Sequence, residues 1–358
     1  MYFSRISGLS FVFWLMSAAV GLARVSGLCV DCHTMHNSQN GESVVFKYDT
    51  ITKGIVSGVD EVNPGLLNTD CVGCHQGTNS PGSVPFVLDI NATDGTYGTT
   101  GTEGTTLAGG NFFWVAGNER AGHNVAGIVG SDLTLTTAPG GDMAVQVTCA
   151  GINGCHGDTG SDGQVQSLLG SHHKNDSSVW KTGVLATPTD MSASYRFLAG
   201  VKGMEDTGYE LNPSKSKHNR YYGVDRNISG DAATGSISSL CARCHGDFHS
   251  GAGVGADGFT TSVWLRHPVD YDMSRASSSS EYATYNGDNS YSVISPVAGS
   301  ADGMDDTLYN QTGDAIVMCL SCHRAHGSRF DSSLRWNYKK WPALDGYNGC
   351  AVCHTSKN

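Results

Sequence analysis

The sequence predicts a mostly irregular fold, coil with short α-helices and a few β-hairpins, wrapped around covalently bound groups instead of an apolar core. Three observations point there. Twelve cysteines fall into six close pairs, and the second cysteine of every pair is followed at once by histidine. Glycine is abundant, at 47 of 358 residues, while charged residues make up only 15%. Beyond the first two dozen positions, no stretch approaches the apolar length of a membrane helix.

The cysteine pairs come first. Five are C-x-x-C-H units: Cys29, Cys32 and His33; Cys71, Cys74 and His75; Cys241, Cys244 and His245; Cys319, Cys322 and His323; Cys350, Cys353 and His354. That spacing marks covalent c-type haem attachment: two thiols add to the two vinyl groups of one porphyrin, and the adjacent imidazole ligates the iron. A lone C-x-x-C also serves thioredoxin-like redox pairs and zinc knuckles; five copies, each with its histidine, do not read that way. The sixth pair, Cys149 and Cys155 with His156, stands in CAGINGCHG with three extra residues between the thiols. It reads either as a haem site with a bulged loop, for which Gly151 and Gly154 supply backbone freedom, or as a short disulfide loop. The histidine in register with Cys155 favours six haems over five. So many haems on one chain of this length leave too few residues for an apolar core around each. The porphyrins, in a linear chain, are then the core themselves.

The histidines come next. His33, His75, His156, His245, His323 and His354 are the proximal ligands. Eight others remain: His36, His123, His172, His173, His218, His249, His267 and His326. Six-coordinate irons would use six of them, so bis-histidine ligation throughout is expected. The distal candidates are His36, His123, His173, His218, His267 and His326, with His172 and His249 next in rank. His36 and His326 lie three residues after a proximal histidine, one helical turn on, and can reach a neighbouring haem but not the far side of their own. His172 and His173, on an extended chain, would point in opposite directions and serve two haems. His267 precedes Pro268, which holds its backbone extended.

Residues 1–23 read as a secretory signal peptide: Arg5, an apolar run from Leu9 to Leu22, then small residues for cleavage. A retained anchor is the alternative. Residues 24–358 then form one secreted haem domain with no further membrane span, exported through the periplasm to the cell exterior or outer surface. The net charge of −11 argues against nucleic acid as a partner. Residues 77–122, rich in threonine and glycine, read as a surface hairpin or two, or as a flexible loop. Residues 274–298 read as an exposed loop. Attachment motifs lie near both ends of the chain, which suits electrons entering at one end and leaving at the other.

CVDCHTMHNSQNGE, CARCHGDFH followed by RHPVD, CLSCHRAHGS and CAVCHT together resemble the extracellular multihaem cytochromes that polymerise into filaments, the hexahaem OmcS type. The resemblance spans Cys29 to His354. It implies a continuous chain of bis-histidine haems in alternating parallel and T-shaped pairs. It also implies a head-to-tail homopolymer in which the CHTMH histidine, here His36, ligates a haem of the adjacent subunit. The function expected is electron transfer to redox partners or external acceptors, with no catalytic residue. A monomeric shuttle shares the same chemistry. A multihaem reductase would need one haem with an open distal position.

Overall fold

The computed structural model describes residues 25, 27–40, 42–49, 51–52, 54–57, 64–91, 105–176, 178–185, 190–226, 235–250, 269–275, 291–300, 313, 315–340 and 349–354. Residues 1–23, expected to be a signal peptide, His267 and most of 274–298 lie outside the described residues.

The architecture is the irregular one expected. Among the described residues the sheets are all two-stranded: β1 (Ser38–Gln39) with β2 (Glu42–Ser43), β3 (Phe46–Asp49) with β4 (Gly54–Ser57), β5 (Thr148–Ala150) with β6 (Gly154–His156), β7 (Gly203–Met204) with β8 (Arg220–Tyr221), and β9 (Tyr271–Asp272) with β10 (Ile316–Val317). All pair antiparallel except β5 with β6. The first hairpin pairs Gln39 with Glu42, and Asn40 after Gln39 takes φ 54°, as tight hairpin loops favour. The helices are single turns: α1 (Cys71–Cys74), α2 (Gln164–Ser167), α3 (Ile237–Cys241), α4 (Gly246–Ser250) and α5 (Cys350–Cys353). Three of them, α1, α3 and α5, carry attachment cysteines. Side-chain caps set two of those: Asp70 accepts from Gly73 N at 2.7 Å, and Ser236 Oγ accepts from Ser239 N at 3.0 Å.

The described part of the threonine-rich stretch 77–122 carries no strand. Its NFFWVAG run is instead a 3-10 helix, Phe112–Gly117, capped by the Asn111 side chain. Asn111 Oδ1 accepts from both Phe113 N and Asp89 N, so the segment is tied inward and Phe112 and Val115 are buried. A local cap and two buried side chains outweigh the β-branched composition.

Apolar packing is divided among three small clusters. One gathers Tyr48, Val72, Leu88, Phe112 and Val125, with Cys149 at its edge. A second gathers Tyr195, Leu198, Tyr221, Ile237, Ile316 and Leu320. A third, around Met273, Tyr291 and Val297, packs on Val352 and Cys353. Each cluster thus backs particular attachment units, and none unites the chain.

Candidate haem sites

Five of the six motif histidines are seated alike. Nδ1 of His33, His75, His156, His245 and His323 lies 3.0, 2.8, 2.9, 2.7 and 2.7 Å from the backbone carbonyls of Gly65, Pro85, Arg196, Pro139 and Ser332. A carbonyl only accepts, so Nδ1 carries the hydrogen and Nε2 presents its lone pair, which is the form a metal needs.

The seats are of two kinds. Under His33, His156 and His323 the chain makes two successive left-handed residues, and a leucine follows. They are Gly65–Leu66 (φ 70°, 56°), Arg196–Phe197 (51°, 59°) and Ser332–Ser333 (60°, 56°). The first carbonyl of the pair takes the imidazole. The second takes the N–H of the residue after the histidine: Thr34 to Leu66 at 2.8 Å, Gly157 to Phe197 at 2.6 Å, Arg324 to Ser333 at 2.7 Å. In the first and fifth units another bond closes the ring, Asn68 N to Cys32 O and Arg335 N to Cys322 O, at 2.9 and 2.8 Å. Under His75 and His245 the carbonyl belongs to a proline. Pro139 sits second in a turn closed by Gly141 N on Ala138 O at 3.1 Å, with Gly140 third at φ 68°, the type II arrangement.

The C-x5-C-H unit shares the first kind of seat. No disulfide joins any two of the twelve cysteines, and the leading neighbours of Cys149 and Cys155 differ. Cys149 shares a hydrogen bond with Cys71, and Cys155 feels burial and then Cys244. The inserted residues close a loop between β5 and β6, held by Gly154 N on Gly151 O and Gly151 N on His156 O, both at 2.9 Å. Gly151 takes φ 86°. Gly154 is needed for a different reason: a Cβ there would lie 2.6 Å from Ala150 backbone atoms.

The cysteines also order the units in space. Burial and then Cys32 push the Cys74 thiol up to about 11. Cys71 meets Cys149, Cys241 hydrogen-bonds Cys319 and feels Cys155, and Cys322 and Cys353 are each pushed to about 12 chiefly by burial, then by Cys350 on Cys322 and by Cys322 on Cys353. Each attachment unit therefore adjoins the next in chain order, first to sixth.

Across from four motif histidines stands a second imidazole. Ring centroids are 6.2 Å apart for His33 and His173, 6.3 Å for His75 and His172, 6.4 Å for His156 and His326, and 6.0 Å for His245 and His123. A metal–imidazole bond of about 2 Å plus roughly 1 Å to the ring centre, taken on both sides, puts two ligating rings about 6 Å apart. The spacing fits an iron between each pair. Burial holds five of these rings neutral, lowering His75 and His123 and holding His156 and His172 at about 4 and His326 at about 3, as ligation requires. His123 Nδ1 donates to Ala325 O at 2.8 Å.

Two local expectations change. His172 and His173 occupy a turn closed by Lys174 N on Ser171 O at 3.0 Å, not an extended strand, yet face different motif histidines. The residues after Cys32 and Cys322 are not helical, because their backbone is drawn off to the left-handed seats. His326 still reaches another unit. His218 is buried, stacks on Tyr291 at 3.5 Å and donates from Nδ1 to Asn219 O at 2.7 Å. His249 turns Nε2 to the Asp270 carboxylate at 2.8 Å, and Ser236 Oγ donates to the same oxygen at 2.9 Å. His36 is exposed, next to Met35 at 82% exposure. The seat carbonyls had no signal in side-chain chemistry; only Pro64–Gly65 and Pro139–Gly140 are readable, as turn dipeptides.

Residues 312–358 match the family model described as a doubled CXXCH motif. The C-type cytochrome OmcS of Geobacter sulfurreducens is 30% identical over 380 aligned residues, covering 90% of this chain and 82% of that protein. Two solved structures from the same organism align along most of their length. The cryo-EM structure of OmcS nanowires is 22% identical, with a TM-score of 0.46 over 92% of each chain. The Outer Membrane Cytochrome S filament is 24% identical, with a TM-score of 0.47 over 88% of this chain and 85% of that one. With attachment motifs running its length and identity sustained across nine-tenths of it, the chain belongs to the OmcS-type family of multihaem c-type cytochromes.

Proposed function

We propose that residues 24–358 form a secreted six-haem electron carrier, every iron held by two histidines, which assembles head to tail with copies of itself into an extracellular conducting filament. The observation that carries this reading is the set of four facing imidazole pairs about 6 Å apart. Bound haem iron supplies a one-electron ferric–ferrous couple. The chain's part is to cap both axial positions, fix the imidazole planes through their Nδ1 bonds and keep the units in file. With no axial position left for substrate, the chemistry is transfer and not catalysis.

The facing pairs support His173, His172, His326 and His123 as the distal ligands of the first four units. His218 suits the sixth, because its stacking partner Tyr291 belongs to the cluster that packs on Val352 and Cys353. The fifth unit is then completed from outside. The first and fifth units share one seat and one CH-x-x-H sequence, and His326 of the fifth reaches back two units, to His156. His36 of the first unit, reaching back two units likewise, meets the fifth unit of the preceding copy. The exposed Leu28, Val30 and Met35 around it supply an apolar contact face. Residues 1–23 serve as the export signal. Among the described residues no helix is long and apolar enough to cross a membrane.

The test is the intact mass of the secreted protein together with its oxidised and reduced optical spectra. Six haem masses with only low-spin bands is the result expected. Five masses would return Cys149 and Cys155 to a disulfide, and a high-spin band in the assembled filament would bring forward a reductase with an open site.

A further inference from the structure

A buried carboxylate stands where the fourth and fifth attachment units meet. Asp270 is 1% exposed, and its Oδ2 accepts from Ser236 Oγ at 2.9 Å and from His249 Nε2 at 2.8 Å. Ser236 caps α3, the turn that carries Cys241. The Asp270 N–H donates to Val317 O at 2.7 Å, two residues before Cys319, and Cys319 N donates to Ser238 Oγ at 3.3 Å. One residue is thus tied to the segments that lead into both units, whose thiols Cys241 and Cys319 hydrogen-bond each other. After that bond and their burial, both thiols also feel the Asp270 charge. The other carboxylate oxygen, Oδ1, is buried and accepts no hydrogen bond among the described residues, and the Arg226 guanidinium donates to Val269 O at 3.2 Å.

We propose that the Asp270 carboxylate lowers the reduction potentials of the fourth and fifth haems together, so that an electron crossing this junction is raised in energy by a residue outside both attachment units. The inference rests on the reading that these two units hold bis-histidine haems. Reduction adds one electron to ferric iron, makes or breaks no bond and moves no proton, so a fixed negative charge nearby opposes it. Burial decides how strongly. Inside a protein a unit charge acts through an effective dielectric of about 20, and over roughly 10 Å it shifts a one-electron equilibrium about tenfold. At the surface, water and salt remove most of that. The chain carries its own comparison at the junction of the second and third units. There Asp70 caps α1 by accepting from Gly73 N at 2.7 Å, and Cys71 and Cys149, which share a hydrogen bond, both feel its charge. Asp70, however, is exposed. The two carboxylates hold matching places and differ in their access to solvent.

The experiment is a mediated potentiometric titration of the full-length secreted protein, followed through its haem bands and fitted to one-electron couples, with Asp270→Asn and Asp70→Asn beside the parent. Asparagine keeps an acceptor oxygen for Ser236 and His249 at the first site and keeps the helix cap at the second. Asp270→Asn is expected to favour reduction of two haems about tenfold, a rise of about 59 mV in each midpoint, with the remaining couples unmoved and every band still low-spin. Asp70→Asn is expected to move no couple by more than about twofold. Unchanged couples in Asp270→Asn would overturn the proposal. So would an equal rise in Asp70→Asn, since burial would then not be what gives Asp270 its effect. If Asp270→Asn does not accumulate, His249→Lys decides, because it leaves the carboxylate in place and sets a cation against it. The same two couples should then rise, and couples left at the parent values would overturn the proposal. A parent protein whose intact mass and peptides show no haem on Cys241 and Cys244, or none on Cys319 and Cys322, would instead sink the underlying reading, before any substitution is made.

Discussion

The seats under His33, His156 and His323 and those under His75 and His245 do one job with opposite backbones. The first kind forces two successive residues into the left-handed region, which costs a non-glycine residue about 1 kcal/mol or more. The second uses proline, whose φ is fixed before folding. Both deliver a carbonyl to an imidazole Nδ1 at 2.7–3.0 Å. The strained seat gains something in return: its second carbonyl also ties down the residue after the histidine, so ring and backbone are fixed together. At Arg196 the strain has further support, since the guanidinium pairs with buried Glu205 at 2.6 Å. The two kinds of seat alternate along the file through the fifth unit, and successive imidazoles are thereby held by different backbones.

The equivalence of the first and fifth units yields the largest expected effects. His326→Ala removes the imidazole facing His156 within one chain, so isolated subunits and filaments alike should gain one high-spin haem in their optical and electron-paramagnetic spectra. His36→Ala should leave subunits folded and fully haem-loaded but unable to form filaments under the electron microscope. Filaments of normal length and spectrum in His36→Ala would break the equivalence.

Within the seats, Phe197→Pro should be the most damaging single change. Proline cannot take φ 59°, and the acceptor for Gly157 N moves with it. A loss of about 3 kcal/mol or more in stability is expected from denaturant unfolding, together with a changed His156 ligation signal. His249→Ala makes the contrast. It strips the Asp270 carboxylate of one of its partners and should cost about 1–3 kcal/mol, yet leave every low-spin band unchanged, because His249 faces a carboxylate and not an iron.

Much of this was legible in the sequence, and the illegible remainder has a physical cause. The attachment units and their histidines are written in side-chain chemistry, so spacing alone finds them. The surplus of imidazoles over attachment units makes paired ligation the expectation but does not choose the partners; the fold is what sets His173, His326 and His123 each opposite a motif histidine. His172 and His173 read in sequence as an extended pair, whereas a turn is what sets each opposite a different motif histidine. His249 and His326 look alike in sequence, each a few residues after a motif histidine. A buried aspartate far along the chain separates them, and no local pattern foretells it. The seats are harder still, because their chemistry is all backbone. Ser332–Ser333 and Arg196–Phe197 carry no left-handed signal; tertiary bonds impose that conformation.

That last point gives the smallest prediction, and it separates the two kinds of seat by sign. Ser332 is exposed and at φ 60°, and its carbonyl, not its side chain, holds His323. Ser332→Gly removes the steric cost of the left-handed region and keeps the carbonyl, while glycine's larger unfolded entropy takes back part of the gain. A net stabilisation of up to about 1 kcal/mol should appear as a higher unfolding midpoint with an unchanged spectrum. Pro139→Ala at the other kind of seat also keeps its carbonyl, but it frees the unfolded chain and should lower the midpoint by about 0.4–1 kcal/mol. Opposite shifts with both spectra intact would show that each seat holds its imidazole through backbone geometry alone. A spectral change in Ser332→Gly would mean that the strained backbone also sets the imidazole's orientation, since relieving the strain would then have moved the ring.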